Sequence, residues 1–169
     1  SLNLFDDVNK DLQKSLEGSS LVIIDSPLIE IPSLLESISN YPEIKTVLNL
    51  NGSQLKCMTW ANDILDKSIG YIGIRPILKT EQPDITDISD LLLEDLDICL
   101  MPSTSTDKKS IENVIYIIEK IGANPYFLEI SEHDSYFTAM NKLSDVISAA
   151  YVNATTTKSS WIEMYKSAG

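Results

Sequence analysis

Residues 20–26 read SLVIIDS, an apolar core of Leu21, Val22, Ile23 and Ile24 bounded by Gly18 and Pro27. A short β-branched run without polar alternation suits a strand buried on both faces, as in a parallel sheet covered by helices. The pattern recurs as KTVLNL at 45–50, IGYIGI at 69–74, DICLMP at 97–102 and PYFLEI at 125–130, giving five candidate strands.

Helical patterns fill the intervals. The clearest, at 107–121, repeats Ile111, Val114, Ile115, Ile118 and Ile121 at spacings of three and four and meets a natural stop at Gly122. A longer helix is expected from Ser131, which with Asp134 fits a capping box, through Phe137, Met140, Leu143, Ile147 and Tyr151 to about residue 153. Shorter amphipathic stretches lie at 4–16, 32–41 and 55–66, and the polar run NATTTKSS at 153–160 precedes a last short helix at 161–166. Strands alternating with helices imply βαβ units, an α/β fold and a mostly parallel sheet.

The 169 residues are 43% apolar and 22% charged, an ordinary globular composition for one large domain. Lys plus Arg number 13 against 25 Asp plus Glu, a net charge of −12 that opposes contact with nucleic acid or anionic lipid. No apolar run approaches the length of a membrane helix. Cys57, Cys99 and the sole His133 make neither a zinc site nor a disulfide framework, so no metal is expected and a reducing cytoplasm is the simplest home. No signal peptide opens the chain, and Ser1 reads as the start of a fragment. Seven acids between 81 and 97 (Glu81, Asp84, Asp87, Asp90, Glu94, Asp95 and Asp97) are spaced around Ile85, Ile88, Leu91 and Leu92 as on a solvated helix face, and lack the glycine and alternate oxygens of a calcium loop.

The six glycines, at 18, 52, 70, 73, 122 and 169, form no GxGxxG and no P-loop, so no complete nucleotide site is legible. Asn51-Gly52-Ser53 follows the second strand, where a turn offers backbone amides and a hydroxyl at the carboxyl edge of the sheet; Asn-Gly is also a common turn. Arg75 ends the third strand at the same edge, either to clamp a carboxylate bidentately or to pair with one of the many acids. Glu132-His133-Asp134 opens the long helix, where His133 has the chemistry of a general base while first-turn acids stabilise the helix dipole, the reading favoured here. Lys142 lies one to two turns further on, facing an anionic ligand or solvent.

The order of LVIIDSP at 21–27, VLNLNGSQLK at 47–56, YIGIRP at 71–76 with Glu81, IGANPYFLEISEHD at 121–134, AAYVNAT at 149–155 and SWIEMYKSAG at 160–169 resembles the prephenate and arogenate dehydrogenases of tyrosine biosynthesis. The resemblance implies residues 1–130 as an incomplete Rossmann-like domain and 131–169 as the start of the family's helical dimerisation domain. It places the glycine-rich NAD or NADP loop before Ser1 and puts Ser26 and Pro27 on cofactor-facing positions.

Carried over residue by residue, the family's Asp-x-x-Ser-x-Lys falls on Asn49, Gly52 and Gln54, or recovers Ser53 alone when slid by one. Its Gly-Gly-His-Pro falls on Gly73-Ile74-Arg75-Pro76, and its second histidine on Lys142. An arginine, with a pKa above about 12, cannot accept a hydroxyl proton at neutral pH. Loss of that base removes roughly 10²–10⁴ in rate. The expected protein is therefore a non-catalytic binding, dimerising or regulatory relative with no cofactor of its own. One alternative is part of a working NAD(P)-dependent dehydrogenase whose cofactor loop lies outside this chain. Another is a small-anion module using Arg75 and Lys142. A homodimer or a partner chain is expected to cover the sheet edge left open by the absent first strands.

Overall fold

In the computed structural model, which describes residues 8–77, 96–139 and 143–156, the five apolar runs are five strands of one sheet. They are β1 (Leu21–Ile24), β2 (Thr46–Asn49), β3 (Gly70–Ile77), β4 (Asp97–Pro102) and β5 (Asn124–Phe127), lying side by side in chain order. The helices are α1 (Leu12–Leu16), α2 (Ile31–Ser39), α3 (Gln54–Ile64), α4 (Lys108–Lys120), α5 (Ile130–Phe137) and α6 (Leu143–Thr156), with a 3₁₀ turn at Leu28–Glu30. This is a Rossmann-like α/β sheet flanked by helices. The chain divides into two compact units, Ser1–Ile130 and Ser131–Gly169.

Pairing is parallel for β1–β2, β2–β3 and β4–β5 and antiparallel for β3–β4. The sheet is thus mostly parallel, with one reversal where β4 runs back alongside β3. Strand alternation sorts the core into two layers. Ile24, Val47 and Tyr71 face α2 and α3 together with Ile31, Leu35, Ile38, Cys57, Met58 and Ala61. Leu48, Ile72, Ile74, Ile98 and Leu100 face α4 through Val114 and Ile118. Crossovers of one hand explain why α2 and α3 share a face: β1→β2→β3 steps always in the same direction. Gly70 lets α4 close on the second face, since a Cβ there would stand 2.9 Å from Cγ2 of Thr106.

The α4 helix has the ends that its sequence announces. Asp107 caps it by accepting from the Ser110 amide at 2.9 Å. Gly122, at φ +80°, closes it in a Schellman motif, with the Ala123 amide donating to Ile118 O at 3.1 Å and the Gly122 amide to Glu119 O at 3.1 Å.

Three expectations are corrected. β1 is not buried on both faces: it is the outer strand, Ile24 alone is fully buried and Ile23 is 59% exposed. Among the described residues β1 pairs with a strand on one side only, β2, and an edge strand of this kind leaves side chains open to solvent. Ser131 does not cap the second-unit helix, which begins one residue earlier at Ile130, soon after β5 ends. The helix expected from Ser131 to about residue 153 is described as two, α5 to Phe137 and α6 from Leu143 to Thr156, and Leu143, Ile147 and Tyr151 are 56%, 60% and 69% exposed. The acids at 81–95, Met140, Lys142 and the closing helix at 161–166 lie outside the described residues. Among the described residues no helix is long and apolar enough to cross a membrane, and no cluster of His, Cys, Asp and Glu could hold a metal ion.

Two fully buried side chains, Leu35 on α2 and Ile72 on β3, pin the two layers. Leu35→Ala and Ile72→Ala should each lower the unfolding free energy by about 2–5 kcal/mol in urea titrations, while Ile29→Ala, at a side chain 86% exposed, should change it by less than about 0.5 kcal/mol.

Candidate functional site

The carboxyl ends of β1, β2 and β3 meet at one edge, the side on which doubly wound sheets bind ligands. The loop leaving β2 there is closed by its own amides. Asn49, fully buried, donates from Nδ2 to the Tyr71 phenol at 2.6 Å and accepts the Asn51 backbone amide at 3.1 Å. Asn51 repeats the turn one step on: its Oδ1 accepts the Ser53 amide at 3.0 Å, and its Nδ2 donates to Ser26 O at the end of β1 at 3.2 Å. Gln54, the first residue of α3, donates from Nε2 to Asn49 O at 2.9 Å and to Asn51 O at 2.6 Å. Short amide side chains bonding to backbone two residues on are the usual Asx turns, and two in succession fix the path from strand to helix.

Glycine at position 73 makes room for this knot. Gly73 pairs with Asn49 across β2–β3, and a Cβ on it would overlap the Gln54 amide. Burial pushes the Tyr71 phenol well above its ordinary pKa, opposed by the bond from Asn49, so it stays protonated across the physiological range. Residues 49–54 carry no ionisable side chain, so the loop itself offers no acid or base for proton transfer.

The sequence-predicted residues fall as follows. Ser26, Gly52 and Ser53 come together through Asn51, and all three are partly buried. Pro27 is exposed and precedes the 3₁₀ turn. Ser53 is the N-cap residue of α3 but makes no side-chain capping bond. Arg75, half-buried, stands two residues beyond Gly73 on the same face of β3. His133 belongs to the second unit: it is 5% exposed, its Nδ1 lies 2.9 Å from Oδ1 of Asp134, and its ring stacks on Phe137 at 5.9 Å. A separate concavity of about 480 Å³ opens at the opposite, amino end of β1 and β2, between Lys45, Leu21 and the Asn113, Tyr116 and Ile117 face of α4.

No protein-family model matches the chain. The prephenate dehydrogenase of Bacillus subtilis is 22% identical over 158 residues, which cover 91% of this chain and 42% of that enzyme. The chain is similar to the prephenate and arogenate dehydrogenases. Solved structures give the same fold. The Aquifex aeolicus prephenate dehydrogenase, crystallised with hydroxyphenyl propionate and NAD+, superposes with a TM-score of 0.69 at 23% identity, and the Synechocystis arogenate dehydrogenase with 0.69 at 19%. Each alignment covers 89% of this chain and 53% of the solved one. The prephenate dehydrogenase-like chain thus spans about half the length of the relatives it matches.

The amide knot was only half legible in the sequence. Asn49 and Gln54 mark eroded positions of the family signature and Asn51 belongs to the Asn51-Gly52-Ser53 turn, but Tyr71 is read there only as part of a strand. Asn, Asn and Gln at 49, 51 and 54 and a tyrosine two residues before Gly73 are the signal: polar residues at the end of a fully buried strand need partners.

Gly73→Ala should destabilise the protein by about 1–3 kcal/mol in denaturant titrations, because the Gln54 amide has to move. The Tyr71 phenol gives a pH test. The folded chain holds this proton above the pH, about 10, at which an unfolded tyrosine loses it. Stability should therefore fall as pH rises past that value, by about 1.4 kcal/mol per unit until the folded phenol ionises. Tyr71→Phe should be the less stable protein near neutrality and lose this component of the alkaline slope, so that the gap between the two proteins narrows above pH ~10.

Proposed function

We propose that this prephenate dehydrogenase-like chain is a binding, dimerising or regulatory module and not by itself a catalyst. The observation that carries the reading is the knot at 49–54, where the side-chain NH₂ groups of Asn49 and Gln54 donate to Tyr71 and to the protein's own backbone. Arg75 occupies the position of the family's histidine and cannot serve as a base near neutral pH. The cofactor fits no better. The turns after β1 and β2 contain one glycine, Gly52, and no glycine-rich cradle, and the Ser53 amide at the start of α3 is already bonded to Asn51. No hydride step is derived from these residues.

A second reading has its own support. The Aquifex relative was crystallised with NAD+, and this chain spans only 53% of it. On that reading the chain is part of a working NAD(P)-dependent prephenate or arogenate dehydrogenase, with the phosphate cradle supplied from outside these 169 residues. The third reading, a small-anion module, rests on the permanent charge of Arg75, Lys142 lying outside the described residues. In each case the protein is placed in the cytoplasm, without nucleic acid or membrane as partner.

Titration with NAD and NADP, with and without prephenate or arogenate, separates the first two readings. The proposal expects no reduced cofactor; saturable turnover would overturn it in favour of the working enzyme. Partner binding is proposed from the outer position of β1, whose exposed Ile23 lacks the charges and prolines that normally protect an edge, and from the exposed apolar side chains of α6. Size-exclusion with light scattering should show a homodimer or larger species at micromolar concentration, and a clean monomer would contradict self-association.

A further inference from the structure

The concavity of about 480 Å³ at the amino end of β1 and β2 lies wholly within the first unit, at the edge opposite the amide knot. Register explains why it is there. Leu21, Thr46 and Gly70 stand side by side in one row across β1, β2 and β3, on the face that carries α4. At the bare Gly70 the start of α4 comes down onto β3, with Thr106 and Ser110 against the space a side chain would fill. Over Thr46 and Leu21 the space stays open, and Lys109, Asn113 and Ile117, spaced by four along α4, make the facing wall. We propose that this concavity binds an organic monoanion, with an apolar body laid on Leu21 and Ile117 and a carboxylate received by Thr46, Asn113 and Lys109.

Three features select that chemistry. Thr46 lines the concavity and is only 4% exposed, yet among the described residues its hydroxyl has no hydrogen-bond partner. A buried hydroxyl in that state has a proton to give to an acceptor that enters. Lys109 has no ion-pair partner among the described residues; the ion pair beside it on α4 joins Lys108 to Glu112. The one acid on the lining, Asp107, is turned to the helix end, its Oδ1 accepting the Ser110 amide at 2.9 Å and its Oδ2 the Ser110 hydroxyl at 2.8 Å. Lys45 adds a second ammonium, which donates to Pro42 O at 2.6 Å. Two ammonium groups against one carboxylate make this lining positive in a chain of net charge −12, and the excess matches a single negative charge on the ligand. The site lies at the other edge of the sheet from Arg75 and the knot, so it does not depend on the readings of function drawn there.

Hexanoate and 1-hexanol test this directly, because they share an apolar chain and differ in charge. In titrations of the intact chain followed by NMR at low salt, hexanoate should saturate shifts of the Leu21, Thr46 and Ile117 methyl groups. It should bind about two- to fivefold more tightly than 1-hexanol, the value of an exposed ion pair. Acetate, which keeps the charge and lacks the chain, should bind at least about tenfold more weakly than hexanoate. Lys109→Gln should remove the preference for the acid over the alcohol, and Thr46→Val, which keeps the shape of the side chain, should weaken hexanoate by about two- to tenfold. Thermal melts of both variants check that they fold. Equal binding of acid and alcohol, a preference that survives Lys109→Gln, hexanoate binding unchanged by Thr46→Val, or no saturable shift at these three methyl-bearing residues would overturn the proposal.

Discussion

The hydrogen bond from the Asn49 amide to the Tyr71 phenol, 2.6 Å long and buried between β2, β3 and α3, is the constraint on which the ligand-side edge depends. It fixes the side chain of the last residue of β2, and that residue then receives the Asn51 amide and offers its carbonyl to Gln54. Gln54 in turn needs Gly73 bare beneath it. A buried donor is tolerable when it finds an acceptor, and the side-chain NH₂ groups of Asn49 and Gln54 both do. The start of α3, the end of β1 through Ser26 and the path of β3 toward Arg75 all follow from this one arrangement.

That arrangement also separates scaffold from chemistry. The same topology and nearly the same backbone recur in prephenate and arogenate dehydrogenases, at TM-scores of 0.69 with identities of 19–23%. Two core layers on a parallel sheet accept many sequences provided volume and pattern are kept. The residues at the carboxyl edge have no such latitude, because a charge placed where Asn49 sits would have to be paired or expelled. In this chain the edge includes neutral amides, a protonated phenol and one arginine.

Much of the fold was legible because the signals were local. The apolar runs at 20–26 and 45–50 contain β1 and β2, and the threefold and fourfold spacing from Ile111 to Ile121 announced α4 together with its Gly122 stop. What escaped was non-local. Nothing in LVII shows that β1 pairs only with β2 among the described residues, so its burial was overestimated. The reversal of β4 depends on the connection between Ile77 and Leu96, whose acids gave a helix pattern but no direction. At the site, Arg75 was visible as a substitution in the family's Gly-Gly-His-Pro run, but its pairing with Cys99 on β4 is a consequence of register, which periodicity within one strand cannot supply.

The side-chain NH₂ groups of Asn49 and Gln54 are committed to the protein itself. Hydrogen exchange of their side-chain NH₂ groups, followed by NMR on the intact chain with and without NAD and prephenate, tests it most directly. Slow exchange and resonances unmoved by either compound are expected. Fast exchange in the free protein, or resonances that shift saturably when NAD or prephenate is added, would show that the loop opens to a ligand and would contradict it.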